Sequence, residues 1–150
     1  MIDLSLIWIV IIAIGVLIYV VLDGFDLGIG ILFPFIKGKE ERDVMMNTVA
    51  PVWDGNETWM VLGGAGLFAA FPLVYATVLS ALYIPIILMV VALIFRGVAF
   101  EFRFKATRTK YLWDQAFIWG SILSSFFQGV ILGAYIQGIQ TTNGIYSGEI

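Results

Sequence analysis

Leu22-Asp23-Gly24-Phe25-Asp26-Leu27-Gly28 breaks into an otherwise apolar run that extends from Leu4 to about Ile36. A carboxylate in hydrocarbon costs roughly 2.5–3.5 kcal/mol on insertion scales. Two of them within one stretch of membrane length point toward a bundle interior or a watery path, away from lipid. Asp23 and Asp26 are three residues apart and Gly24 and Gly28 four, spacings that share helical faces. The stretch therefore reads as part of one long helix rather than as a join between two short ones. Its Gly-xxx-Gly pattern allows close helix contact. A packing seam and a route for protons both remain open for the two aspartates. A nucleotide loop does not, because the glycine spacing is wrong and the setting is apolar.

Composition sets the class. Hydrophobic residues make up 61% of the 150 residues and charged residues 13%, against about 45–50% apolar for a soluble domain. No soluble fold of this length hides that much apolar surface, so the chain reads as a polytopic membrane protein. It has no Cys and no His. That removes disulfides, thiolate metal sites and cysteine nucleophiles, together with the commonest haem and metal ligand. Any redox metal is then expected on a partner. The start, Met1-Ile2-Asp3, lacks the basic segment of a secretory signal, so the first apolar run is expected to stay as an anchor.

Four spans are expected, at about 4–36, 47–71, 75–95 and 112–139, forming an all-α four-helix transmembrane bundle over residues 1–139. Residues 140–150 read as an extracytoplasmic tail or ragged end. Lys37, Lys39 and Arg42 follow the first span, and Arg96, Arg103, Lys105, Arg108 and Lys110 follow the third. The positive-inside rule places loops 37–46 and 96–111 in the cytoplasm and both termini outside. Trp8, Tyr75, Trp113 and Tyr135 lie near the expected interfaces. Pro85 is expected to kink the third span. With continuous helices, Asp26 lies about 16 Å from Lys37, and Asp54 about 18 Å from Arg42.

Trp53-Asp54-Gly55-Asn56-Glu57 carries a second acid pair on one helical face. Two close carboxylates in a dry site cannot both ionise easily, which suits a proton relay. Asn56 is a hydrogen-bonding neighbour. If the helix begins at Pro51, however, Asp54 and Glu57 are ordinary first-turn acids complementing the helix dipole. Gly63-Gly64-Ala65-Gly66 signals close packing of that helix. Arg96 and Glu101, at the end of the third span, are either interfacial anchors or a charge partner and a proton entry point. Glu101 also precedes Lys105 by four residues, in the favourable order for a surface pair. Met45, Met46, Met60 and Met89 are candidate thioether ligands, with apolar packing the better reading. No nucleic-acid signature is present.

Four stretches in order resemble subunit II of the cytochrome bd family of quinol oxidases. They are Leu22 to Gly28, quoted above; Ala50-Pro51-Val52-Trp53-Asp54-Gly55-Asn56-Glu57-Thr58-Trp59; Phe68-Ala69-Ala70-Phe71-Pro72-Leu73-Val74-Tyr75-Ala76; and Phe95-Arg96-Gly97-Val98-Ala99-Phe100-Glu101-Phe102-Arg103. The resemblance covers about residues 3 to 139. It implies an oxidoreductase complex that couples quinol oxidation to reduction of dioxygen to water. Haems b and d belong to subunit I, the haem-bearing partner. This subunit scaffolds the complex and lines part of a cytoplasmic proton path, with a bound quinone as a candidate ligand. The implied setting is the bacterial inner membrane, among lipid and the quinol pool. Asp54 occupies the family's proton-path position. Glu57, Asp23, Asp26 and Glu101 join it as path candidates, with Trp53, Asn56 and Arg96 in support. The family's subunit has about eight spans in two bundles, and four are expected here. The rival readings are a proton-coupled transporter or channel subunit, and a purely structural assembly subunit.

Overall fold

The computed structural model describes residues 3–142 and 145–146. Asp3 caps the first helix, its side chain accepting from the Ser5 backbone N–H at 3.0 Å. Helix α1 (Leu4–Leu32) runs without interruption through Asp23 to Gly28 and closes into a 3-10 turn at Phe33–Phe35. Helix α2 (Lys39–Val49) follows, with Glu40 and Glu41 in its first turn, where acids complement the dipole. Helix α3 spans Trp53–Ala70 and α4 spans Pro72–Phe102, with Phe71 alone between them. Pro72 takes the first-turn position that needs no N–H. Helix α5 (Lys110–Gln137) ends at Gly138, whose φ of 91° favours glycine.

Several expectations need correction. The span expected over 47–71 is two helices. Pro51 has no N–H to continue the ladder, and Val52 leaves helical geometry at φ −126°, ψ −16°. Asp54 therefore lies in the first turn of α3, and its depth cannot be measured along one helix from Arg42. The expected basic loop 96–111 is shorter, because α4 continues through Phe102 and carries Arg96 inside it. The loop 37–46 is largely helical. The described part of the tail is not all coil: Thr141–Thr142 (β1) pairs antiparallel with Ile145–Tyr146 (β2), Thr141 opposite Tyr146. The break in α4 falls at Leu82 (φ −116°, ψ 20°), three residues before Pro85, whose ring and missing N–H disrupt that turn.

Helices α1, α3, α4 and α5 form a ring. Helix α1 packs on α3 and α5, and α4 packs on the same two, so α1 and α4 face each other across the diagonal. Close approaches are made where side chains are smallest. A Cβ at Gly63 or Gly66 of α3 would come to 3.1 Å from Val16 or Ile12 of α1. One at Gly120 of α5 would lie 2.7 Å from the Ala92 carbonyl oxygen of α4. Gly24 and Gly28, the expected seam, meet nothing within 4 Å; Gly30, against Ser121 of α5, serves that role. Phe33, Met46, Val49, Ala99, Phe100, Phe117 and Ile118 form one apolar cluster, and Leu27, Met89 and Leu93 another. Outward side chains such as Leu17, Val21, Phe25, Ile87, Ile94 and Leu132 are apolar and exposed. Among the described residues, α1 with its 3-10 turn, α4 and α5 are long and apolar enough to cross a membrane.

Candidate functional site

Arg96 points from α4 into the centre of the ring and is fully buried. Its Nη2 donates to Asp23 Oδ1 of α1 at 2.6 Å and to Glu57 Oε2 of α3 at 2.8 Å. One guanidinium nitrogen thus ties three helices, including the diagonal pair α1 and α4, which Leu27, Met89 and Leu93 also bring together. Asp26, one turn further along α1, is also fully buried and accepts from Asn56 Nδ2 of α3 at 2.9 Å. The local sequence explains the convergence. Asp23 and Asp26 share a face of α1, and Asn56 and Glu57 are adjacent on the first turns of α3. The small Gly97 lets Trp53 lie 3.1 Å from where a Cβ would be, bringing α3 against α4.

Two carboxyl groups meet one guanidinium here, and a third, that of Asp26, lies one helical turn from Asp23. Asp23 Oδ2, Asp26 Oδ1, Arg96 Nε and Arg96 Nη1 are buried without a hydrogen-bond partner among the described residues. Such groups cost about 1–3 kcal/mol each when left unpaired, more when charged. Donors and acceptors both stand open, a combination that water satisfies and a bare cation does not. The Glu57 side chain is 23% exposed and forms the edge of the cluster.

The family described as cytochrome bd terminal oxidase subunit II matches residues 4–149. The chain belongs to this family. It is 41% identical over 135 residues to the cytochrome bd ubiquinol oxidase subunit 2 of Bacillus subtilis, covering 88% of this chain and 40% of that protein. It is 39% identical over 139 residues to the cytochrome bd-I ubiquinol oxidase subunit 2 of Escherichia coli K12, covering 91% and 37%. The chain therefore spans about two fifths of the length of these curated relatives. Together with its three apolar helices, membership marks it as a multi-pass membrane protein.

The bd subunit II fold does not gather every residue singled out in the sequence. Asp23, Asp26, Asn56, Glu57 and Arg96 come together. Asp54 does not join the core. It lies exposed on the outer face of α3, beside exposed Gly55 and Thr58, and acts on Glu57 only through its charge. Trp53 stacks on Phe100 with centroids 5.1 Å apart. Glu101 is exposed and pairs with Lys105 at 3.3 Å. The four methionines pack in or against the two apolar clusters.

A second ionic group, at the basic end of the bundle, was missed as a unit. Arg103, nearly fully buried, donates to Asp114 of α5 and, at 2.6 Å, to Asp43 of α2. Lys110 reaches Asp43 at 3.0 Å and Arg42 reaches Asp114 at 3.2 Å. Arg42 and Arg103 both lie over the Phe33 ring, at 5.1 and 5.4 Å. Partial burial pushes the Asp43 carboxyl up, but the Lys110 and Arg103 hydrogen bonds and charges outweigh it and hold the group below its ordinary value. The signal for this group was long-range and invisible in local spacing. Tyr19 and Gln128 were also missed; Tyr19 precedes Asp23 by one helical turn, which could have drawn attention to it.

Proposed function

We propose that this chain is the haem-free part of a bd-type terminal quinol oxidase, scaffolding the haem-bearing subunit and lining a proton path from the cytoplasm. The observation that carries the path is the buried cluster of Asp23, Asp26, Glu57 and Arg96, with donors and acceptors still open to water. Asp54 stands on the outer face of α3, next to Glu57. A carboxylate on a membrane helix is expensive against lipid, so that face is best covered by the partner subunit. The route then enters at Asp54 on the subunit boundary, passes to Glu57, and reaches the Arg96–Asp23–Asp26 centre. Trp53 and Asn56 shape it. Glu101, paired with Lys105, guides protons toward the basic end without joining the cluster.

In this reading four helices cross the membrane, α3 being carried by its neighbours. The two basic segments face the cytoplasm and both chain ends face outward. Among the described residues haem has no fitting ligand set: the sequence lacks His and Cys, and the thioethers of Met45, Met46, Met60 and Met89 are engaged in apolar packing. Haems b and d are assigned to the partner. Quinol is oxidised within the complex, and no step of that reaction is assigned to this chain.

The test is oxygen consumption with a quinol donor by membranes carrying Asp54→Asn or Glu57→Gln. Both variants are expected to assemble with full haem content and to turn over slowly. Normal turnover in the assembled variants would remove the relay role. A structural role is also supported by one observation, the diagonal tie through Arg96. It expects Asp23→Asn to lower assembly and activity in equal proportion, with no change in rate per haem.

A further inference from the structure

Gln128 of α5 donates from Nε2 to the Tyr19 hydroxyl oxygen of α1 at 2.7 Å. Tyr19 is buried and Gln128 half-buried, beside a packing region otherwise built from Leu27, Met89, Leu93, Phe127 and Ile131. An apolar pair would fill that space without the cost of desolvating an amide and a phenol. The Gln128 bond uses acceptor capacity of the hydroxyl and leaves its proton to donate. Tyr19 lies four residues before Asp23, on the same helical face, and Asp23 Oδ2 is buried there without a hydrogen-bond partner among the described residues. Polar groups therefore follow one another from Glu57 through Arg96 and Asp23 to Tyr19 and Gln128, touching all four helices of the ring, with hydrogen bonds at every link except that between Asp23 and Tyr19.

We propose that Tyr19, held in place by Gln128, is a further relay residue that carries the proton path one helical turn past Asp23, away from the basic end of the bundle. The proposal rests on the proton-path reading above. In the step, the O–H bond of protonated Asp23 breaks as its proton passes to one bridging water, and a proton of that water forms a new O–H bond at Tyr19 Oη. The hydroxyl's original proton leaves Oη for a water molecule on the far side. The phenol is neutral before and after, and no electrons change hands. Rotation of the hydroxyl back toward Asp23 resets it. Gln128 keeps the oxygen within reach of Asp23 during that rotation.

The experiment compares Tyr19→Phe, Gln128→Leu and Asp23→Asn in membranes carrying the assembled complex. Readouts are oxygen consumption per haem and its solvent isotope effect in heavy water. Tyr19→Phe keeps the ring and removes only the hydroxyl. It is expected to assemble, to slow turnover on the order of tenfold, and to enlarge the isotope effect. Gln128→Leu leaves the hydroxyl unanchored and is expected to show a smaller change in the same direction. It also serves as the test if Tyr19→Phe does not assemble. Parent rate and parent isotope effect in Tyr19→Phe, or in Gln128→Leu where that is the variant that assembles, overturn the proposal. If Asp23→Asn is slow in that case, only the extension to Tyr19 has failed. If Asp23→Asn also turns over normally, the proton-path reading has failed with it.

Discussion

The centre of the bundle and its basic end are built from the same residue types and behave oppositely. At the centre, Arg96 pairs with Asp23 and Glu57 while Asp26 lies one turn along α1 on Asn56, one cation among three acids. At the basic end, Arg42, Arg103 and Lys110 face Asp43 and Asp114, three cations for two acids, with Arg42, Lys110 and Asp43 reaching solvent. At the basic end each acid has two cations, and no buried side-chain atom of that group lacks a partner among the described residues. At the centre four buried atoms do. Redundant pairing makes a clamp. Incomplete pairing in a buried site leaves donors and acceptors open, at a cost in stability that a clamp does not carry.

The sharpest way to break this contrast is to remove the cation from each. Arg96→Leu leaves Asp23 and Glu57 buried without their cation, and is expected to cost about 3–5 kcal/mol, enough to prevent accumulation of folded chain. Arg96→Lys, which keeps the charge, should recover part of it. Thermal unfolding in detergent together with membrane yield gives the answer. A stable Arg96→Leu protein would mean that the central acids need no cation.

Arg103→Ala should cost less, about 1–2 kcal/mol, because Asp114 keeps Arg42 and Asp43 keeps Lys110. Limited proteolysis should report it as earlier cleavage around α2, with the ring intact. Equal losses for Arg96→Leu and Arg103→Ala would erase the distinction between clamp and centre.

Acidification tests the clamp when it is read at α2. The Asp43 carboxyl is held below its ordinary value, so its contribution to docking α2 is fully present above the unfolded value of about 4. It is lost as pH falls through the lower folded value. Protease sensitivity at α2 should therefore rise only in that acid window, and Asp43→Asn should abolish the transition. The smallest effect belongs to Lys105→Ala. Its exposed pair with Glu101 is worth about 0.3–0.5 kcal/mol, and its unfolding temperature should barely move.

Membrane class and the long helices were legible because apolar runs of bilayer length report directly on solvent. So was the company of Asp23 with Asp26, since helical spacing puts them on one face. Arg96 was read as either an anchor or a seam residue. Nothing local in Phe95-Arg96-Gly97 reveals that α4 extends a further six residues and draws the arginine inside. Asp54 and Glu57 look equivalent by spacing. The break at Pro51 and Val52 sets the rotation of α3, so Glu57 turns inward and Asp54 outward. Asp43, Arg103 and Asp114 could not be assembled from sequence because their union depends on how α2 folds back against α4 and α5.

Helix α3 has a consequence for biosynthesis. Unlike α1, α4 and α5, it is not among the helices apolar enough to cross a membrane by composition, and its first turns carry Asp54, Asn56 and Glu57. A segment like that partitions poorly when the insertion machinery meets it alone. Yet a single residue, Phe71, joins it to α4, one of the strongly apolar helices. The two are then best delivered to the bilayer as one hairpin, the later helix supplying the driving force for the earlier.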